Sequence, residues 1–372
     1  MNPRPAGTRL RRLAPLAVAA AIGVAAGAGA YALTSNHSGS TAEPNHVVVP
    51  AQPASSTSTV DSLTQLYKQD APGVVDITVT TTSGGGTSGF PFGAPQQGQK
   101  SQAEGTGFVI DTKGDIMTAE HVVAGASSIN VQFADGTTAK ATLVGTPDKS
   151  TDTAVIHVDV PASRLHPLAL GNSADVQPGQ TVVAIGSPFG LTETMTAGIV
   201  SAVNRTITAP NQFSITGAIQ TDAAINHGNS GGPLIDVNTN TVVGVNDQIE
   251  SDTNDNSGVG FAVPINSSKA AAQTLIAGGT VQHAYVGVRI EDVQGGAKIT
   301  SIVAGAPAAK AGLERGDVIT SFDGKTIGSA DDLTAAVFHA KPGQKVSVTI
   351  TRNGTTQHLS LTLGIQPAQP SQ

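Results

Sequence analysis

The amino-acid sequence contains no cysteine and no tryptophan, and only 3% of its 372 residues are aromatic. Without cysteine there can be no disulfide, no thiol nucleophile and no cysteine-based metal site. Charged residues make up only 13% of the chain, the formal net charge is −7, and no long basic cluster lies in the body of the chain. Because nucleic-acid binding depends on clustered Lys and Arg, these figures argue against a nucleic-acid partner.

Two common functional motifs are also missing. The sequence has no HExxH zinc motif and no Walker-type phosphate loop, so metal, nucleotide and cofactor chemistry lack a supporting pattern. We therefore expect no metal and no other cofactor. Glycine and proline are plentiful, at 43 and 21 residues, which is typical of a turn-rich β protein. The length favours two folded units with additional segments.

The N-terminus carries the pattern of a membrane or secretion signal. Residues 1–12 contain four arginines and precede an uncharged stretch of 21 residues at 13–33, which reaches the roughly 20 residues that a membrane-spanning helix needs. We predict an anchor with the basic tail in the cytoplasm and the rest of the chain outside. A cleaved signal peptide is the alternative, because "AGA" at 28–30 and "AYA" at 30–32 offer small-residue cleavage sites. Residues 34–60, rich in Ser, Thr, Pro and Ala, are predicted to be a disordered linker.

Between residues 73 and 264 the sequence is a succession of short apolar, β-branched runs bounded by Gly, Pro, Asn or Asp. Many short strands separated by turn signals favour paired barrels or a sandwich over βαβ units. A short helix is predicted after Asp61, which would be its N-cap. Residues 82–104 interrupt the strands and predict a long flexible loop. A helix at 266–279 that ends in glycines predicts the end of a first domain spanning residues 61–279.

The remainder of the chain, residues 280–365, is predicted to be a separate small domain, followed by a tail at 366–372. Alternating apolar and polar residues on both sides of Asn353-Gly354 predict a two-residue β-hairpin. The segment after Ser329 predicts a helix with this serine as its N-cap.

The segment "DAAINHGNSGGPLI", residues 222–235, presents Ser230 in a glycine-rich loop between two apolar runs. Glycine permits positive φ angles and close backbone approach, so the N–H groups of this loop could point at one spot and bind an anion. A serine nucleophile needs a base, and the base needs a partner that fixes its tautomer. His121 closes a strand-like run, and Asp152 stands at the start of a predicted strand. The order His, Asp, Ser is that of chymotrypsin-like double barrels.

Each of these residues also has a structural explanation. His121 could be a buried strand-end histidine, Asp152 a turn-capping aspartate and Ser230 a loop serine. Three other histidines, His157, His166 and His227, are close enough in sequence to compete as bases. Of these, His157 sits inside a strand and His227 lies three residues from the serine. Since neither obviously meets an aspartate, we treat both as structural.

Several motifs together resemble one protease family. "TAEHVV", "TDTAVIHV" and "TDAAINHGNSGGPLI" look like the triad segments of the HtrA (Deg) family of serine proteases, in its membrane-anchored bacterial form. "AIGSPFGLTETMTAGIVSAVNR" and "GVGFAVPI" resemble two further stretches around that family's active site. The resemblance covers about residues 62–365. It implies an all-β chain with a chymotrypsin-like double β-barrel and then a small PDZ domain, a β-sandwich with two helices, behind the predicted N-terminal transmembrane helix.

The resemblance implies a role for each candidate residue. Ser230 would attack the peptide carbonyl, His121 would accept and return the proton, and Asp152 would orient the imidazole. The loop of Gly228, Asn229 and Ser230 would form the oxyanion hole, with the N–H groups of Gly228 and Ser230 as donors. The glycines would then turn these donors toward the negative charge that develops on the carbonyl oxygen.

The sequence departs from the family pattern near the expected site. His227 stands where proline is common, and Glu120 precedes the candidate histidine where Asn or Ala is frequent. After "VVGVN" the family often continues with Thr-Ala, whereas this chain has Asp247-Gln248. We assign Asn246, Asp247 and Gln248 to the substrate cleft and expect Asp247 to make it more acidic near the scissile bond.

The end domain resembles the PDZ domain of the same family, chiefly in "ITSIVAGAPAAKAGLERGDVITSFDGKTI". "YVGV" matches the carboxylate-binding loop, in which successive N–H groups of Tyr285, Val286, Gly287 and Val288 would capture a peptide C-terminus. The bound peptide would add a strand to the sheet. Such peptides could either deliver substrates or release an inactive protease, and both alternatives stay open.

The sequence therefore predicts a membrane-tethered, extracytoplasmic serine endopeptidase that cleaves misfolded or signalling proteins and is regulated by peptide C-termini. The family resemblance also implies a trimer or a multiple of it. The rival hypothesis is a binding protein, a chaperone or peptide-sensing scaffold whose triad is vestigial or latent. A broken triad would be its signature in the sequence, and none is seen.

Overall fold

The computed structural model describes five segments of the chain: residues 59–82, 100–187, 194–226, 228–247 and 258–367. The predicted cytoplasmic tail, the transmembrane segment and most of the linker lie outside them, as do His227, Gln248 and residues 368–372. Among the described residues, no helix combines the length and the apolar character that crossing a membrane requires.

The first barrel is a closed sheet of antiparallel strands in the order β1-β2-β3-β6-β5-β4. Large apolar side chains fill its interior, and Ile77, Ile116 and Ile156 are each at most 1% exposed. Closure by the pairing of β1 with β4 leaves the sheet without a free edge. The strands are Val74–Thr82 (β1), Lys100–Val109 (β2), Asp115–Ala119 (β3), Ser128–Gln132 (β4), Thr138–Leu143 (β5) and Thr153–Val158 (β6).

The second barrel repeats this architecture with the order β10-β11-β12-β9-β8-β7. Val182, Ile219 and Leu234 lie in its buried apolar cluster. Its strands are Thr181–Gly186 (β7), Thr194–Thr208 (β8), Ser214–Thr221 (β9), Pro233–Asp236 (β10), Thr241–Asp247 (β11) and Gly260–Pro264 (β12).

A shared apolar core joins the two barrels. Leu66 and Leu275, from helices on either side of the barrels in sequence, pack in one cluster with Phe108, Met117 and Ile185 from the strands. Because protein interiors are close-packed, this core fixes one barrel against the other. Side chains contributed by different barrels therefore keep a constant separation. The helices of this domain are Thr59–Asp70 (α1), Glu120–Val123 (α2) and Ile265–Ile276 (α3).

The strands expected from the apolar runs are confirmed, and the structure differs from the sequence-based expectations in detail. Asp61 lies inside α1, which begins at Thr59, so it is not the N-cap. The predicted loop at 82–104 is shorter, because residues from Lys100 onward pair with β1. Strand β5 has no marked apolar pattern, since Ala141 is its one buried residue, and pairing with β4 and β6 defines it.

The end domain has one main sheet in the order β14-β15-β16-β18-β19, with β17 paired to β16, and a separate pair formed by β13 and β20. Its own buried cluster includes Ile299, Phe322 and Ile350. The strands are Ala284–Tyr285 (β13), Val288–Val293 (β14), Gly296–Ile302 (β15), Val318–Phe322 (β16), Lys325–Thr326 (β17), Lys345–Arg352 (β18), Thr355–Thr362 (β19) and Gly364–Ile365 (β20). The helices are Pro307–Lys310 (α4) and Ala330–Phe338 (α5).

Two local predictions for the end domain are confirmed. Asn353 and Gly354 join β18 and β19 with φ angles of 51° and 79°, the positive values that a two-residue type I′ turn requires. Ser329 caps α5, because its side chain accepts a hydrogen bond from the N–H of Asp332 at 3.1 Å. The double barrel followed by a PDZ fold is thus the architecture of the described chain.

Candidate active site

Helix α2 and the turn before β6 bring His121 and Asp152 together. Strand β3 ends at Ala119, and the N–H of Glu120 donates to the backbone oxygen of Asp152 at 3.0 Å. The N–H of His121 donates to Asp152 Oδ1, also at 3.0 Å. Asp152 therefore satisfies two of the N–H groups that the start of a helix leaves without partners. The sequence-based placement of His121 at the end of a strand is corrected, since the residue belongs to this short helix.

The same carboxylate holds the imidazole of His121. Nδ1 of His121 lies 2.6 Å from Asp152 Oδ2, a short, charge-assisted hydrogen bond. Asp152 is 0% exposed, so water does not compete for the contact. In the neutral imidazole we assign the proton to Nδ1, which faces the carboxylate, and Nε2 is then left as an acceptor. This is the tautomer that a general base requires.

A second carboxylate lies beside the same nitrogen. Asp247, the last residue of β11, places its Oδ1 3.9 Å from His121 Nδ1. Burial by itself lowers the pKa of His121, and this is the largest single effect. The charges of Asp152, Asp247 and Glu120, with the hydrogen bond to Asp152, together outweigh it and raise the pKa to about 9.

These residues also have the composition of a cation site. His121, Asp152 and Asp247 each offer one atom that could bind a metal ion, and these three atoms lie within 4.8 Å of one another. A metal ion would have to break the 2.6 Å hydrogen bond between His121 Nδ1 and Asp152 Oδ2. These two atoms already satisfy each other without a metal ion.

Hydrogen bonds to both barrels hold the loop that carries Ser230. The backbone oxygen of Ser230 accepts from the N–H of Thr106 at 2.9 Å, and the N–H of Gly231 donates to Asn246 O at 2.8 Å. Thr106 Oγ1 donates to Gly228 O at 2.5 Å. Since Thr106 belongs to β2 of the first barrel and Asn246 to β11 of the second, the position of the loop depends on both barrels.

The glycines of this loop are required by its geometry. Gly228 and Gly231 have φ angles of 97° and 84°, in the region that favours glycine. A Cβ atom on Gly231 would lie 2.3 Å from Thr106 O. On the facing strand β7, a Cβ atom on Gly186 would lie 2.6 Å from Asn229 Oδ1. A side chain at either position would displace the loop from the barrels.

The N–H groups of the loop are not equivalent. The N–H of Asn229 donates to Asn226 O at 3.0 Å, so this donor is engaged within the loop. Gly228 and Ser230 are then the candidate donors to a substrate oxygen. Ser230 is 4% exposed, and its Oγ has no hydrogen-bond partner among the described residues. Catalytic hydrogen bonds are often long or poorly aligned before a substrate binds.

The residues assigned to the substrate cleft are buried in this structure. Asn246 is 0% exposed and Asp247 is 1% exposed. The side-chain nitrogen of Asn246 donates to Pro233 O at 3.0 Å, and its N–H donates to Gly232 O at 2.8 Å. Asn246 thus supports the serine loop, and Gln248 lies outside the described residues.

Two residues that hold parts of the site in place, Thr106 and Asn211, were not identified from the sequence, because no motif marks them. Thr106 ties the serine loop to the first barrel, as described above. Asn211, in the turn between β8 and β9, donates from Nδ2 to Glu120 Oε2 at 3.0 Å and to Lys149 O at 2.9 Å. Burial raises the pKa of Glu120, although the hydrogen bond from Asn211 acts in the opposite direction.

His157 also meets a carboxylate, contrary to the sequence-based expectation. Its Nδ1 lies 2.8 Å from Asp115 Oδ1, because the two residues stand opposite each other in the pairing of β3 with β6. The side chain of His157 is 41% exposed. His227, the other histidine that we treated as structural, lies outside the described residues.

The "YVGV" segment forms a tight loop between β13 and β14. Gly287 has a φ angle of 82°, and a Cβ atom there would lie 2.2 Å from the Cβ of Ala306. The N–H of Ala308 donates to Val286 O, and the N–H of Val303 donates to Gly287 O, both at 2.9 Å. These bonds point the carbonyl groups of the loop into the domain.

A cavity of about 540 Å³ lies beside this loop. The end domain lines it with Tyr285 to Ile290 and with one face of α5, including Leu333 and Val337. The barrels contribute Ser150, Gln212, Phe213, Ser214 and Thr216. The barrel domain therefore forms part of the wall of the cavity beside the "YVGV" loop.

Among the described residues, side-chain contacts of His283 and Gln366 connect the barrels with the C-terminal part of the chain. His283 Nε2 lies 3.0 Å and 2.9 Å from the two carboxylate oxygens of Asp148, and its ring stacks on Phe338 of α5 at 5.4 Å. Ser150 Oγ donates to Gln366 Oε1 at 3.1 Å. Both contacts fall on the turn that leads directly to Asp152.

Comparison with known proteins agrees with this architecture. A trypsin-like peptidase domain matches residues 105–245, and a PDZ domain matches residues 284–363. The chain is 38% identical over 336 residues to a probable periplasmic serine endoprotease, DegP-like, of Hahella chejuensis, covering 82% of this chain and 70% of that protein. The chain belongs to the HtrA family of trypsin-like serine proteases.

Other members of the HtrA family give the same assignment. Serine protease PepD of Mycobacterium tuberculosis is 42% identical over 290 residues, which are 72% of this chain and 62% of that protein. This chain therefore spans under two thirds of PepD. The structure of the HtrA-type protease AlgW with a decapeptide superposes with a TM-score of 0.67 at 30% identity, covering 82% of this chain and 98% of AlgW. The family and the serine protease class expected from the sequence are confirmed.

Proposed function

We propose that this HtrA family member is an endopeptidase that works through Ser230, His121 and Asp152. The observation that carries the proposal is the 2.6 Å contact of a buried carboxylate with the imidazole. When the imidazole is neutral, that contact leaves Nε2 of His121 as the acceptor for a proton. The serine loop, which bonds to both barrels, would supply the nucleophile.

The reaction would proceed through an acyl-enzyme. Ser230 Oγ attacks the carbonyl carbon of the scissile bond while its proton moves to His121 Nε2. The imidazolium then gives this proton to the leaving amine, and water repeats the sequence to release the acyl group. The N–H groups of Gly228 and Ser230 would stabilise the tetrahedral oxyanion, to which one donor typically contributes about 10²–10³-fold in rate.

The substrates would be polypeptides outside the cytoplasm. The DegP-like relative is named periplasmic, and the basic, apolar N-terminus of this chain fits an anchor or a signal. Misfolded or signalling proteins are the proposed substrate class, because an endopeptidase needs an extended, accessible segment in its cleft. A trimer or a multiple of it, as the family resemblance implies, completes the proposal.

We also propose that peptide C-termini bound to the PDZ domain regulate the protease. The cavity beside Gly287 reaches Ser150 and Phe213 of the barrel domain, so a peptide bound there would contact or displace them. Asp148 Oδ2 accepts from Thr151 Oγ1 at 2.6 Å, and Asp148 is bonded to Thr153 through backbone groups at 2.8 and 2.9 Å. Asp148 is therefore bonded both to His283 of the PDZ domain and to the residues on either side of Asp152. A change in the contact with His283 could in this way alter the position of Asp152.

Replacing His283 with alanine should uncouple the two domains. The substitution removes the contact with Asp148 but changes no residue of the barrels. We expect the stimulation of proteolysis by a peptide with an apolar C-terminus to fall by about five-fold or more, within the usual range of coupling between sites. Cleavage of an unfolded protein, measured with and without peptide, checks this.

His358→Ala is the matched control, because His358 lies on β19 and contacts Thr349 within the PDZ sheet. It should leave the stimulation unchanged. Peptide affinity, measured by fluorescence anisotropy, separates loss of coupling from loss of binding. If His283→Ala binds the peptide and is stimulated as strongly as the wild type, the contact between His283 and Asp148 does not couple the two domains.

Covalent labelling tests the catalytic proposal directly. A fluorophosphonate probe forms a bond from phosphorus to an activated serine oxygen and releases fluoride. We expect stoichiometric labelling at Ser230, located by peptide mapping, and a parallel loss of proteolysis. Labelling at another serine with loss of activity would show that Ser230 is not the nucleophile.

A latent scaffold is the second candidate function. It is favoured by one observation, that Ser230 Oγ has no hydrogen-bond partner among the described residues. A scaffold would bind peptide C-termini yet neither cleave unfolded proteins nor react with the probe, with or without peptide. Reaction with the probe only after peptide addition would instead support a protease that the PDZ domain switches on.

A further inference from the structure

Two buried carboxylates from different barrels converge on one nitrogen of His121. Asp152 Oδ2 lies 2.6 Å from Nδ1, and Asp247 Oδ1 lies 3.9 Å from the same atom. The two aspartates are 0% and 1% exposed. One carboxylate is enough to orient the histidine of a serine protease triad. Asp247 therefore brings a second negative charge to the base.

Strand β11 fixes the position of Asp247. The preceding residue, Asn246, exchanges backbone hydrogen bonds with Gly231 and Gly232 of the serine loop, and Asp247 pairs with Phe261 of β12. His121 comes from the first barrel. The contact between Asp247 and His121 thus crosses from one barrel to the other, and the packing between the barrels sets its length.

The other charged groups near His121 do not cancel this charge. Glu120, the neighbouring residue on α2, also raises the pKa of His121. Lys149 is a cation that acts on Glu120, and Asn211 donates a hydrogen bond to the same carboxylate. The charges of Asp152, Asp247 and Glu120 thus all raise the pKa of His121.

We propose that Asp247 is a positioning residue that holds a proton on His121 in the resting enzyme and thereby confines efficient proteolysis to alkaline conditions. The inference rests on the proposed role of His121 as general base. A base has to be neutral to take the proton of Ser230, so a protonated His121 is inactive. The same carboxylate stabilises the imidazolium once the proton has moved. Its removal should therefore have opposite effects at low and high pH.

The sign of the pH dependence follows from the raised pKa of His121, about 9 in this structure. Below that pKa most molecules would carry a protonated imidazole, and kcat/KM should rise about ten-fold per pH unit until the pH approaches it. An opposite charge at this distance typically raises the pKa of a cation by about 1–3. Neutralising Asp247 should move the acid limb of the profile to lower pH.

The first experiment compares pH profiles of kcat/KM for the wild type and Asp247→Asn, which keeps the size of the side chain and removes its charge. We expect the acid limb to move down by at least about one pH unit, so that activity at pH 6.5 rises about ten-fold relative to the plateau. The plateau itself should fall. Asp236→Asn is the control. Asp236, the last residue of β10, is also buried, but its carboxylate accepts a hydrogen bond from the N–H of Asn238 at 2.7 Å.

A second measurement does not depend on activity. The imidazole of His121 is titrated by NMR in Ser230→Ala, with and without Asp247→Asn. We expect the second substitution to lower the midpoint by at least about one pH unit. An unmoved midpoint, or a loss of activity at every pH with an unmoved acid limb, would overturn the role of Asp247. Full proteolysis by Ser230→Ala would instead overturn the proposed triad, so the two failures are distinguishable.

Discussion

Ser230→Ala is expected to lower kcat by about 10⁶-fold, because loss of the proposed nucleophile removes the acyl-enzyme route altogether. The change deletes one oxygen that has no hydrogen-bond partner among the described residues. The loop should therefore keep its shape through the bonds of Ser230 O and Gly231 N to the two barrels. The variant should fold like the wild type, and any residual rate reflects binding and the oxyanion donors alone.

Cleavage of an unfolded protein by purified wild type and variant measures this effect. Ser128→Ala is a suitable control, since Ser128 is exposed on β4 of the first barrel, and its activity should equal that of the wild type. Equal melting temperatures for the three proteins would exclude a folding defect. More than about 1% of wild-type kcat in Ser230→Ala would contradict its role as nucleophile.

Asp152→Asn is expected to lower kcat by about 10⁴-fold at neutral pH, through the wrong histidine tautomer. The asparagine oxygen can still accept the N–H of His121, which donates to Asp152 Oδ1 at 3.0 Å. Its amide nitrogen would then occupy the place of Oδ2 and donate to Nδ1, which moves the imidazole proton to Nε2. A protonated Nε2 cannot accept the proton of Ser230.

The chain offers a matched control for this substitution. Asp115 contacts Nδ1 of His157 at 2.8 Å in the first barrel, so Asp115→Asn alters a histidine–aspartate pair that the proposed mechanism does not use. It should leave kcat close to the wild-type value, because neither Asp115 nor His157 takes part in the proposed proton transfer. Equal losses in the two variants would indicate a general effect on the barrel rather than a role for Asp152 in catalysis.

The strand pattern and the chemistry of the site were largely predictable from local sequence. Strands appear where β-branched runs lie between Gly, Pro, Asn and Asp, and these signals act over a few residues. The serine loop was recognisable because Gly228 and Gly231 have φ angles that favour glycine. The exceptions are instructive. Strand β5 forms because it pairs with β4 and β6, although its own sequence has no marked apolar pattern. The short helix α2 at His121 forms where its N–H groups donate to the backbone and side-chain oxygens of Asp152.

The contacts of Asp148 and Asp247 could not be predicted in this way. His283 lies 135 positions from Asp148, and no periodicity or spacing relates two residues in different domains. Asp247 was predicted only to make the substrate cleft more acidic, and nothing in the sequence indicated that its carboxylate is buried 3.9 Å from His121. Register within β11 and the packing of one barrel on the other decide which way that side chain faces.

The sequence by itself determined the family, the double barrel with its PDZ domain, and the candidate serine, histidine and aspartate, because short motifs encode backbone geometry and residue chemistry locally. Only the tertiary structure decided the environment of these groups. It placed Asp247 beside the imidazole, and it connected the turn before Asp152 to His283 of the PDZ domain. Electrostatic effects and burial depend on distances across the folded core, and those distances exist only once the barrels and the PDZ domain have packed.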